Sequence, residues 1–150
     1  MFWDWWQSLF TDTSAYAFFN FKFLPKYGSA VIQGVEYTLI LSVVSVLLAV
    51  LPALLLATMR LSKNRLIRWL SGAYIAIFRS TPMLVQLMII YFGVFFYIPV
   101  PKVMLFGFID STRFIPGVTA LALNSAAYVA EIFRAGILAV DSGQMEAARS

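Results

Sequence analysis

Residues 66–98 read LIRWLSGAYIAIFRSTPMLVQLMIIYFGVFFYI, an apolar run of 33 residues interrupted by Arg68 and by Arg79-Ser80-Thr81-Pro82. As one helix it would be about 50 Å long, against a hydrocarbon core of roughly 30 Å. Either its first half lies tilted at a membrane surface, or Pro82 splits the element in two. Proline has no N–H and pushes the residue before it out of the helical region, so a break here leaves carbonyls near Phe78 without partners. Broken helices of this kind line ligand cavities in membranes. Arg79 lies about 16 Å of helix beyond Arg68, well inside a bilayer if the helix runs straight. A charge at that depth is costly and faces a bundle interior or a wet cavity, unless the side chain snorkels to an interface.

Two further runs are long and apolar enough to cross a bilayer. One extends from about Ser29 to Met59, with Glu36 near its start and Pro52 in its later half. The other follows Pro116-Gly117 as VTALALNSAAYVAEIFRAGILAV and ends at Val140. Strands of a membrane barrel would be segments of about ten residues separated by turns, which this pattern is not. The expected fold is therefore all-α, a polytopic transmembrane helix bundle with three membrane helices. Composition agrees: the chain is 61% hydrophobic and 12% charged, where soluble domains carry about a quarter charged residues. These values exclude disorder, a nucleic-acid module and most soluble enzymes, leaving the lipid bilayer as the first partner and nucleic acid as none. The absence of cysteine and histidine removes disulfides, thiolate or imidazole metal sites, and Cys or Ser-His-Asp nucleophiles. No catalytic residue and no metal site is expected. The phosphate-binding pattern G-x-x-x-x-G-K-[ST] is missing too, so ATP is not expected to bind here.

The link between the first two runs holds Arg60, Lys63, Arg65 and Arg68 without an acid, whereas the second link holds Lys102 and Arg113 with Asp110. The denser basic link belongs in the cytoplasm. The N-terminus and the Pro99-Val100-Pro101 loop then lie outside and the tail from Asp141 inside, although Lys22 and Lys26 reduce the contrast. The opening MFWDWWQSLF has no basic region and carries Asp4, with Asp12 close behind, so it is not read as a cleavable signal. Residues 1–27, rich in Trp3, Trp5, Trp6, Phe10, Tyr16, Phe18 and Phe19, read as an interfacial segment on the outer surface. Residues 28–150 read as one membrane domain, with a distinct segment at 141–150.

In the third run Asn124, Tyr128 and Glu131 fall on one helix face at i, i+4 and i+7. Asn124 lies ~12 Å in from Pro116, near mid-membrane. Glu131 and Arg134 are i, i+3 and can neutralise each other. Asn124 and Ser125, with Ala126, Ala127 and Ala130, also fit a packing seam in which small residues let helices approach and amides bridge them. Gln86, a turn beyond Pro82, is the other mid-membrane amide. In the tail, Gly143 can end a helix and Gln144 to Arg149 are good helix formers, giving a short polar docking helix or a frayed end.

Three stretches together resemble a known family, the membrane permease subunits of ABC importers for polar amino acids of the histidine, glutamine and glutamate/aspartate type. They are Phe78-Arg79-Ser80-Thr81-Pro82-Met83-Leu84-Val85-Gln86-Leu87, Leu123-Asn124-Ser125-Ala126-Ala127-Tyr128-Val129-Ala130-Glu131-Ile132-Phe133-Arg134, and Gly143-Gln144-Met145-Glu146-Ala147-Ala148-Arg149. The resemblance covers the chain from about Gly28 onward. It implies a non-enzymatic translocation subunit of a bacterial inner membrane, with the five-helix permease fold. It further implies pairing with a second permease as a homodimer or heterodimer, a cytoplasmic ATPase dimer that holds ATP and Mg, and a periplasmic or extracytoplasmic amino-acid-binding protein. By the same resemblance Gly143, Gln144, Glu146, Ala147, Ala148 and Arg149 form the helix that couples to the ATPase. Arg79, Thr81, Gln86, Asn124, Tyr128 and Glu131 would surround the substrate path, where a zwitterion needs both charge signs. The family continues past the coupling motif with a glycine and more apolar segments, so a chain stopping at Ser150 looks truncated or partial. The alternative function is an ion channel or ion-coupled carrier working without an ATPase, with Arg79, Glu36 and Glu131 along an ion path. An intramembrane enzyme is disfavoured, because lone carboxylates lack a second acid or a nucleophile–base pair.

Overall fold

The computed structural model describes residues 24–140 together with Trp3, Asp4 and Gln7. The chain divides into two compact units, residues 1–39 and 40–150. The aromatic segment expected over 1–27 and the coupling segment expected over 141–150 lie almost wholly and wholly, respectively, outside the described residues. Helix α1, Leu24–Arg60, begins about a turn earlier than the apolar run suggested. Within the first unit it exposes Val31, Ile32, Val35 and Leu39, and Thr38 Oγ1 returns a bond to Gly34 O at 2.7 Å. Beyond Ile40 it exposes Val43, Leu47, Leu51 and Leu55, the surface of a helix whose solvent is lipid. Pro52 lies inside the helix, and the other backbone bonds of the long helix keep it continuous across the one donor that proline withholds.

Helix α2, Arg65–Ser80, starts where Asn64 Oδ1 accepts the Leu66 N–H at 2.9 Å, capping a donor that a helix start leaves free. It ends because Pro82 forces Thr81 into extended backbone, at φ −104 and ψ 142. Helix α3, Met83–Tyr97, follows at 106° to α2. Of the two alternatives for residues 66–98, the break is the one realised. Each piece is too short to cross alone: α2 has 16 residues, and about 20 are needed. The second expected membrane helix is therefore a bent pair, a broken span or a re-entrant element, beside two unbroken candidate spans. Residues Ile89–Val94 of α3 are wound as a π-helix, a local widening frequent at functional sites.

A small hairpin separates α3 from the last helix. Strands β1, Met104–Leu105, and β2, Ile109–Asp110, pair antiparallel with Met104 opposite Asp110. The turn between them puts Phe106 at φ 51 and Gly107 at φ 79. Two-residue strands are too short to show an alternation, which is why an all-helical reading passes over them.

Helix α4, Ser111–Leu138, corrects the expected third segment, which was to begin after Pro116-Gly117. The helix starts earlier because Asp110 caps it: one carboxylate oxygen accepts both the Thr112 N–H at 3.0 Å and the Thr112 hydroxyl at 2.7 Å. Pro116 falls in the second turn, where a single carbonyl loses its donor.

The core of the second unit is built from small side chains. Ser45, Ala49, Ala53 and Ala57 are buried at every fourth position of α1. Ala49 and Ala53 cluster with Ile75 of α2 and with Ala126, Ala127 and Ala130 of α4, bordered by Leu56, Tyr74, Phe78, Val129 and Phe133. Where lipid tails are as apolar as leucine, helices associate by such close van der Waals contact. The seam read at Ala126, Ala127 and Ala130 is present; its partner stripe on α1 was not anticipated.

The bonds to Thr112 hold the Asp110 carboxyl below its ordinary value, with smaller help from Lys102 and Arg113. A depressed carboxyl contributes stability above its unfolded value and loses it as pH falls through the folded one. Asp110→Ala should lower the thermal midpoint of the detergent-solubilised protein at neutral pH. The gap to the unsubstituted protein should close as the medium is acidified below the usual carboxylate range; a gap independent of pH would show that the cap does not depend on the ionised carboxylate.

Candidate functional site at the helix break

Pro82 cannot donate to Phe78 O, the carbonyl four residues earlier, and in a membrane no water takes its place. Side chains supply the donors. Gln86 Nε2 reaches Phe78 O at 2.8 Å, Thr81 O at 3.0 Å and Thr81 Oγ1 at 2.7 Å. Its two amide hydrogens are thus shared among three acceptors. Gln86 Oε1 accepts from Asn124 Nδ2 on α4 at 2.9 Å, and the same nitrogen approaches Phe78 O at 3.5 Å. Thr81 closes the other end of the break, its N–H and its hydroxyl both bonding Ile77 O, at 3.2 and 2.7 Å. Gln86 is only 7% exposed, so a missing partner for its amide would leave a buried polar group unpaired at about 1–3 kcal/mol. A turn earlier on α2, the Tyr74 hydroxyl donates to Leu123 O at 2.8 Å, a second tie between α2 and α4. The carbonyls near Phe78 are orphaned by proline, as the sequence implied, and Gln86 and Asn124 are what satisfies them.

Arg79 occupies the last turn of α2, where the free carbonyls and the negative end of the helix dipole favour a cation. The break therefore removes much of the cost that a straight helix would impose on this charge. Its guanidinium carbon lies 5.4 Å from the Tyr128 ring centroid, a cation–π distance. Both residues are exposed. A cavity of about 220 Å³ opens in the elbow between α2 and α3, lined by Ile77, Phe78, Val85, Ile89 and Ile90 with Thr81 and Gln86.

Glu131, two turns past Asn124, belongs to a different cluster. Its Oε2 accepts from Arg134 Nη1 at 3.2 Å, the i, i+3 pair expected from sequence. Its Oε1 faces Arg60 Nε at 3.6 Å, and that buried nitrogen has no closer partner. Arg60 reaches α4 by crossing Gly72, where an added Cβ would come within 2.8 Å of Arg60 Nη1. The six candidate residues therefore sort into three groups: Thr81, Gln86 and Asn124 bonded together, Arg79 stacked on Tyr128, and Glu131 between two arginines. Sequence reasoning missed the contact of Arg60 with Gly72, which has no signal in a linear pattern, and Tyr74, which has no signal beyond being a polar aromatic inside an apolar run. The proposed coupling residues 143–149 lie outside the described residues.

Residues 45–150 match the family described as binding-protein-dependent transport system inner membrane component. A Rickettsia prowazekii protein named as a glutamine transport system permease is 43% identical over 129 residues, covering 86% of this chain and 55% of that one. The arginine transport system permease protein of Bacillus subtilis is 43% identical over 118 residues, covering 79% and 50%. A solved structure, "Crystal structure of an amino acid ABC transporter with histidines", is similar with a TM-score of 0.69 and 42% identity, over 86% of this chain and 56% of its own. The chain spans about half the length of the curated relatives it matches.

The amide network predicts coupled losses. Gln86→Leu and Asn124→Leu should each destabilise the detergent-solubilised protein by about 2 kcal/mol. The double variant should cost less than the two together, by roughly 1 kcal/mol, in a double-mutant cycle read from dodecyl-sulfate unfolding. Strict additivity would show that the two amides do not act as one unit.

Proposed function

Since the chain belongs to the family of binding-protein-dependent transport system inner membrane components, we propose that it acts as a permease subunit of an ATP-driven importer that moves a polar amino acid across a bacterial inner membrane. The observation that carries this reading is the elbow at Pro82. It sets an apolar cavity between α2 and α3 and ends α2 just after a cation, Arg79, that is exposed yet already favoured by its helix end. An importer for zwitterions needs a cation that meets a carboxylate without paying a full desolvation cost on release, and Arg79 over Tyr128 offers that. Tyr128 orients the guanidinium plane. Thr81, Gln86 and Asn124 hold the elbow in shape along the path, their polar atoms being committed to the backbone and to each other.

Names of relatives support an amino acid as the cargo: glutamine in one, arginine in another. ATP and Mg would sit on a cytoplasmic ATPase dimer, which this chain engages through Gly143, Gln144, Glu146, Ala147, Ala148 and Arg149, facing the cytoplasm together with the basic α1–α2 link. A second permease subunit and an extracytoplasmic binding protein complete the assembly. An ion path through Glu131 is less well supported, because it needs an acid free to exchange its ion and both oxygens of Glu131 face guanidinium groups.

The test is uptake of radiolabelled amino acids into proteoliposomes holding the permease pair, the ATPase and the binding protein. Arg79→Ala should lower ATP-dependent uptake by about ten- to a hundredfold, the loss of a charge-assisted hydrogen bond of ~1.5–3 kcal/mol. Arg79→Lys should fall between. Glu146→Lys should abolish uptake and ATPase binding while membrane insertion persists. Uptake that continues undiminished after ATP depletion would overturn the importer in favour of a carrier.

A further inference from the structure

The last turn of α3 and the connection that follows it to α4 present aromatic rings outward. Phe106 is 82% exposed, Tyr97 80% and Phe96 76%, with Phe108 also exposed. Phe106 moreover stands at φ 51, a left-handed backbone that glycine or asparagine adopts freely and a bulky aromatic does not. A ring held at a strained position and displayed to its surroundings calls for something that the ring contacts.

The hairpin is rigid and low. Ser111 clasps it to the first turn of α4: its hydroxyl donates to Pro101 O at 2.7 Å and accepts the Val103 N–H at 2.8 Å, while its own N–H bonds Val103 O at 3.0 Å. Ile109 is 0% exposed and faces inward, so the opposite side carries the rings. Because the hairpin joins two elements read as lying in the membrane by only residues 98–110, it cannot rise far above the headgroups. Lys102 and Arg113, both exposed, flank the rings, and the single nearby carboxylate, Asp110, is occupied in capping α4. Aromatic rings with cations beside them match the phospholipid headgroup layer, where rings lie at the boundary and cations meet phosphate.

We propose that this connection is a membrane-interface anchor, with Phe106, Phe108, Tyr97 and Phe96 set into the headgroup region of a phospholipid leaflet and Lys102 and Arg113 against its phosphates. The anchor fixes the depth of the α3 end and the α4 start in the bilayer, and thereby the height of the elbow between α2 and α3. It does not depend on which face of the membrane the hairpin occupies, nor on the transported cargo.

The chain contains no cysteine, so single substitutions can be spin-labelled without altering the background. Phe106→Cys and, outside the strained turn, Tyr97→Cys are labelled and reconstituted in vesicles of phosphatidylcholine with phosphatidylglycerol. Collision with dissolved oxygen is then compared with collision with a water-soluble nickel chelate. The anchor predicts that both labels give a ratio of oxygen to chelate collisions severalfold above that of the same label free in water, with mobile line shapes. A ratio no different from that of the label free in water would place the rings in water. An immobilised label shielded from both reagents would assign the surface to a protein partner. Either of these results overturns the proposal.

Discussion

One carbonyl organises this protein. Phe78 O loses its helical donor to Pro82, and a bilayer supplies no water to replace it, a deficit of several kcal/mol for a lipid-facing group. The solution is a side-chain amide from the next helix, Gln86, and a second from α4, Asn124. Satisfying the carbonyl requires α3 to turn back sharply enough for Gln86 to reach it, and requires α4 to lie alongside. The 106° elbow, the amide network and the docking of α4 are three aspects of that one requirement.

Charges at membrane depth are handled in the same spirit, each by a local device. Arg79 gains the C-terminal end of α2 because the helix stops there, and a ring face because Tyr128 lies opposite. Arg60 is admitted across α2 because Gly72 has no side chain, and is offset by Glu131, which Arg134 also serves. These arrangements give each ionic group a local offset, a helix end and a ring for the exposed Arg79 and the Glu131 carboxylate for Arg60 and Arg134.

How much of this was legible beforehand follows from the range of each interaction. The break at Pro82, the orphaned carbonyls near Phe78, the Glu131–Arg134 pair and the alanine seam of α4 rest on contacts within a turn or two, and local spacing reveals them. The identity of the donors was not legible, because Asn124 and Gln86 are 38 positions apart and only the packed fold brings them together. The start of α4 was misplaced because Pro116 and Gly117 are conspicuous stop signals, while the cap at Asp110 depends on one carboxylate in an otherwise irregular stretch. The hairpin escaped notice since its strands are two residues long. Arg60 was read for its place in a basic link, and nothing in a linear pattern shows that its guanidinium lies over Gly72.

The contact of Ala49 and Ala53 with Ala126, Ala127 and Ala130 has a mechanical meaning. Methyl groups have little relief and no rotamers to change when one helix moves along another, and the longer side chains, Leu56 and Phe133 among them, stand at the border of the contact. The four-residue repeat of small residues on α1 means that a displacement of four residues, about 6 Å, presents another small residue at the same height. Such a contact opposes sliding less than interdigitated leucines do, whereas the elbow is tied by directional hydrogen bonds.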